Sequence, residues 1–121
     1  MRSTPYYKDV IFYFYTDNCG YCKKMENSTF SDRNVINKLK DEYITVKVDL
    51  NKENEIIVKG KSYKIDDIFK EKGIKGIPAV VIYGYKLKTK ESKFYYHFIG
   101  YRDSFEFLNE LKEAKKIKKG L

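Results

Sequence analysis

Cys19 and Cys22 are the only cysteines in a chain of 121 residues, and Gly20 and Tyr21 separate them. Two thiols at that spacing can close into a disulfide and open again, which is two-electron chemistry. The flanking residues suit such a pair. Val10-Ile11-Phe12-Tyr13-Phe14-Tyr15 is apolar, aromatic and rich in strand formers, and Lys23-Lys24-Met25-Glu26-Asn27 contains good helix formers. The cysteines therefore sit where a buried strand turns into a helix. Cys19 falls near the first helical turn, where N–H groups lack partners and the helix dipole is positive. That setting favours the thiolate, which is the nucleophile. Cys22, one turn on, can reach the same sulfur. Lys23 and Lys24 favour the thiolate through charge, and Asp17 opposes it. Tyr21, between the cysteines, is expected to be exposed and to touch substrate.

Other chemistries find less in the chain. A structural zinc site needs four ligands, and the sole addition to the two cysteines is His97, far along the sequence. His97 reads as a strand residue without a catalytic role. Two thiolates can hold a soft metal ion, so a metal-binding module stays open as an alternative, as does an interaction module whose cysteines are incidental. No carboxylate pair has the spacing of a hydrolase, and there is no phosphate-binding loop. No metal is expected, and no cofactor beyond the cysteine pair itself.

Composition bounds the rest. The chain is 42% hydrophobic and 17% aromatic, which argues against disorder. Its length fits a single domain over residues 1–121, able to bury about two-thirds of its unfolded surface. Such a core needs no disulfide, which leaves the cysteines free for chemistry. The net charge is +8, from 25 basic and 17 acidic residues. The lysines are spread along the chain, with one cluster at Lys115, Lys116, Lys118 and Lys119, and read as a solvated surface with a basic tail. Nucleic acid is not an expected partner. No apolar run approaches the roughly 20 residues that span a membrane, so no insertion is expected. Met1 to Pro5 lacks the apolar core of a secretory leader. The expected location is the periplasm, with a leader removed, or the cytoplasm.

The elements that must position the cysteines follow from periodicity. Residues 1–8 form a lead-in. Residues 9–15 are a strand apolar on both faces, and residues 20–27 are a helix. Ser31 or Asp32 caps a second helix to about Lys40. Residues 43–50 alternate as a strand. Ile56-Ile57-Val58 and Ser62-Tyr63-Lys64 flank Lys59-Gly60-Lys61 as a small hairpin. Ile65 to Lys72 is a helix stopped by Gly73. Gly76-Ile77-Pro78 is a turn, and residues 79–83 form a buried strand. A charged hairpin loop over 86–93 leads to a strand at 94–99, ended by Gly100. Asp103 and Glu106 form a capping box for a last helix with Phe105, Leu108, Leu111 and Ala114 facing inward.

In this element order the chain resembles thioredoxin-fold proteins from about residue 8 to residue 114. Cys19-Gly20-Tyr21-Cys22-Lys23 after an aromatic strand, Gly76-Ile77-Pro78 before a later buried strand and Gly100 before the last helix carry the resemblance. It implies an α/β fold with a central mixed sheet of four or five strands and helices on both faces. It implies a thiol–disulfide oxidoreductase in which Cys19 attacks and Cys22 resolves. Pro78 would be a cis-proline facing the cysteines, and Ile77 the residue whose backbone pairs with an extended substrate. Gly20 and Tyr21 complete the substrate contacts. The implied partners are protein disulfides or dithiols and an electron-donor protein, with the chain a monomer.

The chain also departs from ordinary thioredoxins. Asn18 stands where they carry Trp. Gly20-Tyr21 replaces Gly-Pro and is similar to the pair of bacterial periplasmic disulfide isomerases, so isomerase or oxidase activity is an alternative to reduction. The Lys-rich helix, the Lys-Gly-Lys hairpin and Ile99-Gly100-Tyr101 resemble thioredoxin-related proteins of the bacterial envelope, which maintain the thiols of other proteins. Tyr13 stands where thioredoxins keep a buried carboxylate that takes the proton of the second cysteine. Lys47 and Asp49, on the neighbouring strand, are the candidate substitutes. On this reading a Tyr13→Asp substitution is expected to speed disulfide reduction.

Overall fold

The structure is a computed structural model and describes residues 8–86 and 90–120. The lead-in expected over residues 1–8 therefore lies, apart from Lys8, outside the described residues. Six apolar or aromatic positions in a row, Val10 to Tyr15, make β1 (Asp9–Tyr15) the strand that everything else covers, and its side chains are buried on both faces. It pairs in parallel with β2 (Tyr43–Asp49) and antiparallel with β5 (Ala79–Lys86), which pairs antiparallel with β6 (Glu91–Ile99). The sheet order is β2-β1-β5-β6.

Alternation along β1 divides the core in two. Ile11 and Tyr13 point to the side covered by α1 (Gly20–Asn27), α2 (Arg33–Glu42) and α4 (Ser104–Gly120), and pack with Met25, Val35, Phe107 and Leu111. Val10, Phe12 and Phe14 point to the other side. There they meet the separate hairpin of β3 (Glu55–Val58) and β4 (Lys61–Lys64), and α3 (Ile65–Lys72). Both faces are covered, one by helices alone and the other by a helix and a hairpin.

Local signals explain most boundaries. Asp32 caps α2, its Oδ1 accepting from the N–H groups of Asn34 and Val35 at 2.9 and 3.3 Å. The helix runs two residues beyond Lys40, where Lys38 and Glu42 pair at 2.9 Å one turn apart. Gly73 ends α3 with φ 69°, a conformation that costs glycine little. Asp103 and Glu106 bond reciprocally at the start of α4, at 2.8 and 3.0 Å.

Two expectations are corrected. The charged loop over 86–93 is mostly strand: Gly84, Tyr85 and Lys86 pair with Lys93, Ser92 and Glu91. A ladder is made by backbone groups, so polar side chains on a solvated face do not stop it. Residues 87–89 of that loop lie outside the described residues. In α4 the buried face is set by Phe107, Leu111 and Ala114, whereas Phe105 is 79% exposed. Two residues of helix rotate a side chain by about 200°, so Phe105 and Phe107 cannot share a face. Leu108 is half-buried between them.

Candidate active site

The cysteine pair is built by the change from β1 to α1. After Tyr15 a short loop is held by Thr16 Oγ1 donating to Asn18 Oδ1 at 2.9 Å. Cys19 is the N-cap of α1, with φ −95° and ψ 110°. Its carbonyl accepts from Lys23 N–H at 3.1 Å, and its sulfur accepts from Cys22 N–H, also at 3.1 Å. That donor is one of the N–H groups a helix start leaves unpaired. The first turn of α1 contains no acidic residue. A sulfur held by an N–H at the positive end of a helix is favoured as thiolate when reduced. The two sulfurs are bonded to each other, with Cα atoms 5.2 Å apart. Cys22 is fully buried and Cys19 half-buried, while Gly20 and Tyr21 are exposed.

The head of β5 lies beside the end of β1. The register sets Phe14 opposite Ala79. Pro78 and Ile77 precede Ala79 and so lie beyond Phe14, towards the end of β1 from which the cysteine loop leaves. The Ile77–Pro78 peptide is cis. Pro78 is buried and Ile77 half-buried. The Pro78 carbonyl accepts from Gly100 N–H at 2.7 Å. The segment after Gly100 reaches back to α1: Tyr101 lies under the Lys24 ammonium at 4.7 Å, and its hydroxyl is 3.2 Å from Ser28 Oγ. The sequence-derived residues Cys19, Gly20, Tyr21, Cys22, Ile77 and Pro78 thus gather at one end of the sheet.

Behind Cys22 lies a group that sequence reading missed. Tyr13 is buried, and its hydroxyl is 3.2 Å from the Cys22 carbonyl and 3.3 Å from Glu26 Oε2. Glu26 Oε1 is 3.6 Å from Lys47 Nζ, which lies 4.8 Å over the Tyr15 ring. Burial, and then the Glu26 charge, push the Tyr13 hydroxyl far above its ordinary pKa. Of the two candidate substitutes for a buried acid, Lys47 is the partner of Glu26. Asp49 is committed elsewhere: its side chain accepts from Asn51 N–H at 2.9 Å and its carbonyl from Lys52 and Glu53. The signal for Glu26 was its position four residues after Cys22, on the same face of α1. His97 occupies the β6 ladder opposite Val81. Its pKa is lowered by burial and by the nearby Lys72.

A family model described as a thioredoxin-like domain matches residues 5–115. A thioredoxin from Thermus thermophilus is similar in structure, with a TM-score of 0.64 at 22% identity over 89% of this chain and 74% of that one. The C-terminal domain of DsbD from Neisseria meningitidis, in its oxidised form, gives 0.57 at 19% identity, over 88% and 80%. The germline-specific thioredoxin Deadhead from Drosophila melanogaster gives 0.56 at 18%, over 90% and 83%. No functionally curated protein matches the sequence. The architecture is the thioredoxin fold, with four strands in its main sheet and the β3–β4 hairpin apart. Among the described residues no helix is long and apolar enough to cross a membrane.

Proposed function

The chain belongs to the thioredoxin-like domain family, and from that premise we propose that it is a thiol–disulfide oxidoreductase working through Cys19 and Cys22 on protein substrates, running as a reductase. The observation that carries this is the Cys19 sulfur at the N-cap of α1, accepting an N–H from Cys22 and within bonding reach of the Cys22 sulfur.

The reaction takes two exchanges. The Cys19 thiolate attacks one sulfur of a substrate disulfide; a Cys19–substrate bond forms and the other substrate sulfur leaves as thiolate. The Cys22 thiolate then attacks Cys19. The Cys19–Cys22 disulfide forms, the substrate sulfur is released, and two electrons have passed to the substrate. Burial of Cys22 keeps it from competing for the first attack. Tyr21 and Gly20 on one side and Ile77 and Pro78 on the other are the substrate contacts. Pro78 has no N–H, which suits a wall against which an extended peptide lies. No other cofactor enters, and an electron-donor protein returns the pair to the dithiol. The chain acts as a single-domain monomer in the periplasm, or else in the cytoplasm.

Ile77, which resembles the residue of reducing thioredoxins, favours reduction. Gly20-Tyr21, which resembles the pair of periplasmic isomerases, supports isomerisation as the second reading. About 30 mV is worth about 1.4 kcal/mol for this couple, so the choice rests on the potential. The test is insulin-disulfide reduction with dithiothreitol as donor, together with the reduction potential of the pair. The proposal expects acceleration by the wild type, none by Cys19→Ser, and a trapped mixed disulfide in Cys22→Ser. A potential near about −270 mV supports the reductase and one near about −180 mV the isomerase. No acceleration by the reduced wild type overturns both.

A further inference from the structure

The bend between β6 and α4 is tied by one side chain. Arg102 Nη1 donates to the carbonyl of Ile99 and to that of Tyr101, each at 3.2 Å. Those two carbonyls flank Gly100. A terminal guanidinium nitrogen carries two N–H groups, so one atom can serve both. Arg102 Nε donates to Glu110 Oε2 at 2.8 Å, and Glu110 Oε1 accepts from the Tyr96 hydroxyl. The guanidinium also lies 5.0 Å over the Phe98 ring. Both partners of the Arg102–Glu110 pair are mostly covered, so water weakens these charge-assisted bonds less than it does an exposed pair.

The tied segment links two parts of the site. Gly100 N–H donates to the Pro78 carbonyl at 2.7 Å. A Cβ at Gly100 would lie 3.6 Å from Arg102 Nη1, so the guanidinium rests beside that residue. In the other direction the Arg102 carbonyl accepts from Thr29 Oγ1, and Thr29 is fully buried just beyond α1. The Tyr101 hydroxyl is 3.2 Å from Ser28 Oγ. Residues 99–102 thus join the end of the helix that carries Cys22 to the cis Ile77–Pro78 peptide. Gly100 has no side chain to hold this bend, and glycine is the freest residue in the chain. The restraint comes from Arg102.

We propose that Arg102, held by Glu110 and Tyr96, is a positioning residue for the binding of protein substrates. It fixes the bend at residues 99–102, which keeps Gly100 N–H on the Pro78 carbonyl and the Ile77 backbone on the course against which a substrate peptide pairs. This rests on the reading above in which Ile77 and Pro78 are substrate contacts. The side-chain contacts of Arg102 are two backbone carbonyls, Glu110 and Phe98. It therefore acts through Gly100 and Pro78 and not on the sulfurs. A lysine keeps the charge beside Glu110 but lacks the planar fork that reaches both carbonyls, so Arg102→Lys removes the tie and leaves the charge.

The test is insulin reduction over a range of insulin concentrations, with dithiothreitol as donor. Beside it runs the reaction of the reduced chain with 5,5′-dithiobis(2-nitrobenzoate), which is too small to need peptide pairing. In Arg102→Lys the KM for insulin rises by about 10-fold, while kcat and the rate with the aromatic disulfide stay at the wild-type values. Amide exchange at Gly100 quickens in the same variant. A residue that only stabilises the fold lowers the active fraction, so that kcat and both reactions drop together at constant KM; that pattern overturns the proposal. So does a wild-type KM, or wild-type exchange at Gly100, in folded Arg102→Lys. Glu110→Gln provides a second line should Arg102→Lys not fold: a raised KM with kcat kept supports the proposal, and a wild-type KM overturns it. These outcomes leave the functional reading standing. A wild type that reduces the aromatic disulfide but not insulin overturns the substrate contacts at Ile77 and Pro78, and the proposal with them.

Discussion

Gly100 N–H donates to the carbonyl of Pro78 at 2.7 Å, joining the residue after β6 to the residue before β5. The bond extends the ladder one step beyond the Ala79–Ile99 pair and fixes the backbone at the cis Ile77–Pro78 peptide, the proposed substrate wall. Gly100 makes it at φ 100°, where a side chain is strained. Gly100→Ala is therefore expected to lose about 1–2 kcal/mol of stability, read as a lower urea midpoint. Insulin reduction should fall by more than the reaction with a small aromatic disulfide, which does not need the wall. Equal loss on both substrates counts against a substrate-binding role for this segment.

Cys19 is half-buried at a helix start and Cys22 is fully buried. Reduced protein treated with limiting iodoacetamide near neutral pH should carry the label on Cys19 first, because reactivity follows thiolate character and access. Peptide mapping of the singly labelled species is the measurement. Preference for Cys22 reverses the two roles.

The last helix shows where sequence patterning misleads. Phe105, Leu108 and Leu111 are spaced as a helical stripe, yet so are Phe107, Leu111 and Ala114, and the capping box alone does not choose between them. Packing chooses: Phe107 is fully buried against Phe30 and Phe98, at ring distances of 5.3 and 5.8 Å. Phe107→Ala should cost about 3–5 kcal/mol, and Phe105→Ala should stay within about 0.5 kcal/mol of wild type. Urea titrations of the two variants decide it.

Elsewhere the fold was largely legible, for physical reasons. β1 is apolar on both faces, α2 and α4 have strong caps, and the turn at Gly73 needs a left-handed residue. The cysteine pair was legible because its chemistry depends on local spacing. The length of β5 and β6 was not, because their outer halves carry charged residues that mimic a loop. Glu26 was hidden for a different reason. It meets Tyr13 only through a contact between a helix and β1, whereas the neighbouring strand offered Lys47 and Asp49 as substitutes.

Glu42 ties α2 to α4. Its carboxylate accepts from Lys115 at 2.6 Å and from Lys38 at 2.9 Å, which hold its pKa below the ordinary value. A depressed carboxylate stabilises the fold above its unfolded pKa of about 4.3, and that contribution is lost as pH falls through the folded value. The pair is partly solvated, so its worth is about 0.2–1 kcal/mol. Glu42→Gln should lower the melting temperature at pH 7, and the gap to wild type should close as pH falls below the carboxylate range. A gap constant with pH assigns the loss to packing.

Tyr13→Asp separates the sequence-based expectation from the structural one. If the site lacked an acid, a carboxylate at position 13 would speed reduction. With Glu26 beside Tyr13 and Lys47 beyond it, the substitution adds a second negative charge to a buried place that already has one. It also removes the hydroxyl that spans Glu26 and the Cys22 carbonyl. A shorter side chain cannot make both contacts, and an unpaired buried charge is costly. The expected outcome is a clear loss of stability with no gain in insulin reduction near neutral pH, measured on the folded fraction. Faster insulin reduction, with the fold intact, means that the site had been working without an acid.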